Sequence, residues 1–215
     1  MVMEKHHRVG LVVALVSVAG LSELVGTGSA QARPDATAGR AACVDAEPGS
    51  PCGNGRFGAG TGATVGKLLG PQHHAPGGIG TASRLLPGGA VVGALAVVNA
   101  VGDVVDAQGR VLAGPGTVDR LLEQGLPDPP LAGTNTTLVV VATDVALTKE
   151  RAHRLAVVSH DGLAQAIRPV HTSYDGDTVF VLSTGQLVEE PVVLETAAVD
   201  VVARAIRNAV SQGEP

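Results

Sequence analysis

The sequence has no tryptophan, one tyrosine (Tyr174) and two phenylalanines (Phe57 and Phe180) in 215 residues. Its 45% apolar content must therefore bury Val, Leu, Ala and Ile, which favours stacked sheets and helices. Cysteine is nearly absent too. Cys43 and Cys52 are too few for a disulfide framework and lack the paired spacing of a zinc site, so free thiols are expected. The 15 basic residues are scattered through a chain of net charge −5, without interleaved aromatics, which excludes the electrostatic footprint of a nucleic-acid binder. Histidine doublets occur at His6–His7 and His73–His74, but no second ligand cluster accompanies them, so they read as solvated loop residues rather than metal ligands. The apolar stretch from Val9 to Leu21 is too short for a stable bilayer span, and no membrane anchor is expected.

What is present suits one domain with a single substantial core. Residues 1–32 have a basic start, an apolar middle and an "AQA" ending, so taken alone they have the look of a signal peptide. "RPDATAGRAACVDA" reads as a helix with Pro34 in its first turn. A Gly-rich loop follows. Gly66-Lys67 suggests a phosphate loop, but Thr61 replaces its first glycine and Leu68 its Ser/Thr; Val65 likewise breaks a dinucleotide fingerprint starting at Gly60. No cofactor is implied.

Short β-rich runs between Gly77 and Gly114, separated by turns such as "DAQG", predict consecutive antiparallel strands. Pro115 to Asn135 contains too much Pro for a central strand or a helix interior and is expected to be an exposed linker. Beyond it lie a strand from Thr136 to Thr143 and a helix from about Thr148 with Leu155, Val158, Leu163 and Ile167 at helical spacing. The strand "TVFVLST" comes next. A final helix, Pro191 to Gln212, sets Val193, Ala197, Val201, Ala205 and Val210 on one face and Glu195, Arg204 and Arg207 on the other.

The strand from Thr136 opens unusually, with "GTNTTLVVVATD" placing three threonines and an asparagine before an apolar run. Thr suits a strand start for its β-branching alone. A hydroxyl after a loop could also attack the preceding carbonyl, cut the chain and leave a new N-terminal Thr whose α-amine, with a pKa of about 7.7–8.0, serves as its base. Thr136 and Thr137 must face opposite sides of the strand, so only one can line a site.

"GAGTGATVGKLLG", "GGIGTASR", "VGALAVVNAVGD", "NTTLVVVATD", "HDGLAQAIRPVHT" and "DGDTVFVLSTG", in this order over residues 33–185, together resemble the DmpA-type self-processing aminopeptidases. These are the L-aminopeptidase/D-esterases, which include the β-aminopeptidases. The resemblance implies an α/β fold, a four-layer αββα sandwich of the DmpA/ornithine acetyltransferase type. It further implies cleavage after Asn135, Thr136 as nucleophile, Asn99 as a donor to the oxyanion, and Asp175 and Asp177 as the acidic pair. Some members carry Ser at the position of Asp175. Read without the resemblance, Asn99 is a strand-end residue and Asp175-Gly176-Asp177 a turn.

On this reading residues 33–135 are an α-chain-like part ending in a processing loop, and residues 136–215 a β-chain-like part of the same domain. The substrate would be a small peptide, amide or ester hydrolysed at its N-terminal residue, and the enzyme a homo-oligomer. "VALVSVAGLSELVGTGSAQARPDA" resembles an interior strand of the family, which implies a chain lacking the family's N-terminal elements and a cytoplasmic protein; export through a signal-like N-terminus is the alternative. Two other functions stay open: an ornithine-acetyltransferase-like acyl transferase, and an inactive truncated remnant.

Overall fold

The computed structural model describes residues 53–127 and 135–211, together with Ala36, Thr37 and Arg40. Those three are helical, as the "RPDA" helix requires; the rest of that segment, both cysteines, His6, His7, the apolar N-terminal stretch, Gly133 and Thr134 lie outside the described residues. Strands β1 (Thr64–Val65) and β2 (Ala75–Pro76) form a short pair. Then come β3 (Gly78–Leu85), β4 (Val91–Asn99), β5 (Asp103–Val105), β6 (Val111–Ala113), helix α1 (Thr117–Gln124) and β7 (Thr136–Val145). Helix α2 (Lys149–Ala166), β8 (Ile167–Arg168), β9 (Thr178–Leu187) and helix α3 (Pro191–Val210) complete the order.

β3, β4, β7 and β9 make a four-stranded sheet in that order, antiparallel except for the parallel β7–β9 pair. The parallel pair needs a long crossover, which α2 supplies. Its start is set by Thr148, whose side chain accepts the Arg151 N–H at 3.3 Å as an N-cap. A smaller sheet has the order β6–β5–β8. Side chains alternate along β4: Val92, Ala94, Ala96 and Val98 join Val139 and Val141 in the core beneath α2 and α3, where Leu155, Leu163, Val201 and Ile206 are buried. The approach of α3 is close enough that a Cβ at Gly80 would lie 2.1 Å from the Ala205 carbonyl oxygen. The other face of the sheet carries a second cluster around Ile79, Leu95 and Val97, and the same alternation sends Asn99 and Thr136 to that face. This helix layer on a sheet is the packing of an α/β sandwich. Among the described residues no helix is long and apolar enough to cross a membrane.

Three expectations are corrected. The Pro115–Asn135 linker contains α1, because the Asp103 carboxylate accepts both the backbone N–H and the hydroxyl of Thr117 and so caps a helix from a distant strand. Ile167 leaves the helical face and begins β8, paired with Val104. Arg207, set on the face opposite the apolar one, is half-buried and packs inward, donating to the Val105 carbonyl at 3.0 Å and the Gln165 carbonyl at 2.8 Å.

Thr137 is paired with Val98 and fully buried on the helix side, where its hydroxyl has no hydrogen-bond partner among the described residues. An orphaned buried hydroxyl costs about 1–3 kcal/mol. Thr137→Val, which keeps the shape, should therefore raise stability by about 1 kcal/mol in urea unfolding; a lowered midpoint would show that the hydroxyl is bonded.

Candidate functional site

The site forms where β4 ends and β7 begins. Antiparallel register sets Asn99 opposite Thr136, and both are nearly buried, at 5% and 8% exposure. Directly opposed residues share a face, so their side chains are neighbours. The Thr136 hydroxyl donates to the carbonyl oxygen of Asn135 at 2.6 Å, the peptide immediately before it. The same oxygen accepts the Gly176 N–H at 2.9 Å. A parallel bridge between Asn135 and Asp175 aligns the "DGD" turn with this peptide.

Lys67 enters from the opposite direction. Gly66 adopts φ of 70°, and its N–H and that of Lys67 donate to the Gly102 and Val101 carbonyls at 2.9 and 2.8 Å, pinning the start of a 3-10 turn to the end of β4. A side chain at Gly66 is excluded twice, by its left-handed backbone and by the Pro115 ring 2.4 Å from any Cβ. Held this way, the Lys67 amine donates to Asn99 Oδ1 at 2.6 Å and to the Asn99 carbonyl at 3.2 Å. The Thr64 N–H shares that Oδ1 at 3.2 Å. Burial lowers the Lys67 amine to about 8, against the opposing pull of the Asp175 charge.

The carboxylates hold the other wall. Asp175 accepts the Val101 N–H at 3.2 Å through one oxygen, and through the other the Thr172 N–H and hydroxyl at 3.0 and 2.7 Å. It is thus a turn residue, and it also ties the turn to the end of β4. Asp177 accepts the Thr137 N–H at 2.8 Å, and its second oxygen lies 3.0 Å from Nδ1 of His171. Burial raises the Asp177 pKa, and the Asp175 charge adds to the rise. His171 has a positive φ of 53°, and its Nε2 lies 3.3 Å from Nδ1 of His160. Burial of His160 lowers its own pKa.

All five positions singled out from the sequence, Asn99, Asn135, Thr136, Asp175 and Asp177, therefore meet in one place. The Asn99 side chain turns its oxygen toward Lys67. Sequence reasoning missed Lys67, Gly176, His160 and His171. A charged residue inside the apolar run "TVGKLLG" is the signal the sequence holds for Lys67. A hydroxyl beside a carbonyl, an amine with a lowered pKa and an N–H aimed at the carbonyl oxygen are the parts that acyl transfer requires.

The model of peptidase family S58 matches residues 2–215. The chain is 40% identical over 206 residues to an uncharacterized aminopeptidase of Mycobacterium leprae, covering 85% of this chain and 54% of that protein. It is 32% identical over 166 residues to the 6-aminohexanoate-oligomer endohydrolase of Paenarthrobacter ureafaciens, covering 72% of this chain and 46% of the relative. Among solved structures, the L-aminopeptidase D-Ala-esterase/amidase of Ochrobactrum anthropi, a variant of the Ntn-hydrolase fold, superposes with a TM-score of 0.59 at 26% identity over 80% of this chain and 48% of its own. The chain spans about half the length of these relatives. With a family model matched along nearly its whole length, the chain belongs to peptidase family S58.

Proposed function

We propose that the chain is a self-processing amide hydrolase in which the Thr136 hydroxyl cuts the Asn135–Thr136 peptide and the freed Thr136 then serves as nucleophile. The observation that carries this reading is the 2.6 Å contact from the Thr136 hydroxyl to the carbonyl oxygen of the bond it would break. Before cleavage no α-amine exists at Thr136, so another base is needed. Lys67 fits: it is bonded to the residue opposite Thr136, and with a pKa of about 8 roughly one amine in ten is neutral at pH 7. After cleavage the Thr136 α-amine, with an ordinary pKa of about 7.7–8.0, takes over as base. Asn99, oriented by Lys67, would donate through its amide to the substrate oxyanion, while Asp177 holds the nucleophile strand through the Thr137 N–H and Asp175 ties the neighbouring turn to the end of β4. Small peptides, amides or esters that acylate Thr136 are the substrate class. The amide-hydrolysing relatives support it.

Intact mass tests the processing directly. The purified chain should resolve into fragments 1–135 and 136–215 that stay associated, because the new terminus remains within the sheet. Thr136→Ala should leave only uncut, inactive chain, while Thr136→Ser and Thr137→Ala should still process. A folded wild type that stays uncut through prolonged incubation sinks the reading.

Processing should also depend on pH. If the neutral Lys67 amine is the base, the rate should rise about tenfold per pH unit below about 8 and level off above it. Lys67→Arg, always charged, should stall cleavage across the range. A flat profile between pH 6 and 9 would remove Lys67 from the step.

Asp177→Asn keeps an oxygen for the Thr137 N–H but loses the charge facing His171. A folded, processed Asp177→Asn enzyme should turn over about 10- to 100-fold more slowly; unchanged turnover would exclude Asp177 from the chemistry.

A further inference from the structure

We propose that the Gly176 N–H is the oxyanion donor of the self-cleavage step, and that glycine is required there to leave room for the Thr136 hydroxyl. This rests on the self-processing reading above. The N–H already points at the oxygen that would become negative, at 2.9 Å. Its position is fixed by the Asn135–Asp175 bridge, so no reorganisation accompanies the charge. A Cβ at Gly176 would lie 2.7 Å from the Thr136 Oγ1, closer than real Cβ contacts come, yet 3.6 Å from the Asn135 oxygen and 3.8 Å from the Thr136 Cβ. The space at Gly176 is thus claimed by one atom, the reacting oxygen.

The Thr136 Oγ–C bond forms as the hydroxyl proton passes to the neutral Lys67 amine, and the carbonyl electron pair moves onto the oxygen facing Gly176. Collapse breaks the C–N bond, with the proton returning to the leaving nitrogen of Thr136. Water then opens the ester to an Asn135 carboxylate and a free Thr136 hydroxyl.

Glycolic acid in place of Gly176, introduced into the full chain by nonsense suppression in cell-free translation, deletes the N–H and adds no atom. Pulse–chase electrophoresis should show cleavage slowed about 100-fold or more, the scale of a lost oxyanion donor. Gly176→Ala keeps the N–H but crowds the hydroxyl: it should slow cleavage and lower the Tm, whereas the same change in a Thr136→Ala chain should leave the Tm unmoved. Cleavage of the glycolate chain at the wild-type rate overturns the donor role alone. Equal Tm losses from Gly176→Ala in both backgrounds overturn the steric role alone. A wild-type chain that never cuts overturns the self-processing reading beneath both.

Discussion

The register between β4 and β7 is the constraint on which the site depends. Because side chains alternate, a slip of one residue would send Thr136 into the helix-side core and bring Thr137 to the site. Both are threonines, so composition alone would not penalise the exchange. What penalises it is the rest of the strand: Val139 and Val141 are buried beneath the helices, and Ala142 lies in the cluster on the other face. The register is locked at the far end as well. There the Val91 N–H donates to Asp144 at 2.7 Å, and the Thr143 hydroxyl donates to the Val91 carbonyl at 2.8 Å. Hydrophobic alternation thus selects which hydroxyl faces the site.

Around that register the site is assembled from backbone more than from side chains. The Val101 and Gly102 carbonyls hold the N–H groups of Lys67 and Gly66, the Val101 N–H holds Asp175, and the Thr137 N–H holds Asp177. Each bond ties a loop to the end of β4 or the start of β7. Such bonds leave few rotamers for the polar groups, which is how a site gains precision without a large apolar pocket. They also satisfy buried carboxylates that would otherwise be costly.

Much of the fold was legible because local signals agreed with it. Thr148 caps α2 as its position suggests, and "TTLVVVATD" forms β7. The failures share one physical cause, a partner distant in sequence. Helix α1 is capped by Asp103, fourteen positions earlier, and Arg207 is drawn inward by carbonyls of β5 and α2. No periodicity contains those contacts. The site was legible by a different route: Asn99, Asp175 and Asp177 came from resemblance, and the choice of Thr136 over Thr137 needed it too. Lys67 and Gly176 enter the site through tertiary placement, one as a buried charge and the other through a backbone N–H, so neither residue type announced itself.

The electrostatics of the cluster follow from that assembly. One buried amine faces Asn99 and feels Asp175, while Asp177 is pushed toward its neutral form by burial and by the charge of Asp175. Burial lowers the cation's pKa and raises the acid's, so both effects bring the groups closer to the pH at which each can exchange a proton. An apolar substitution at Asp177 would release the Thr137 N–H of the strand it anchors. Removing Asp175 would take away the charge that holds the Lys67 pKa up and free the Val101 N–H at once. Structural and chemical roles are therefore coupled at Asp175 through a single carboxylate, whereas at Gly176 they are separable, because the N–H and the space beside it can be altered one at a time.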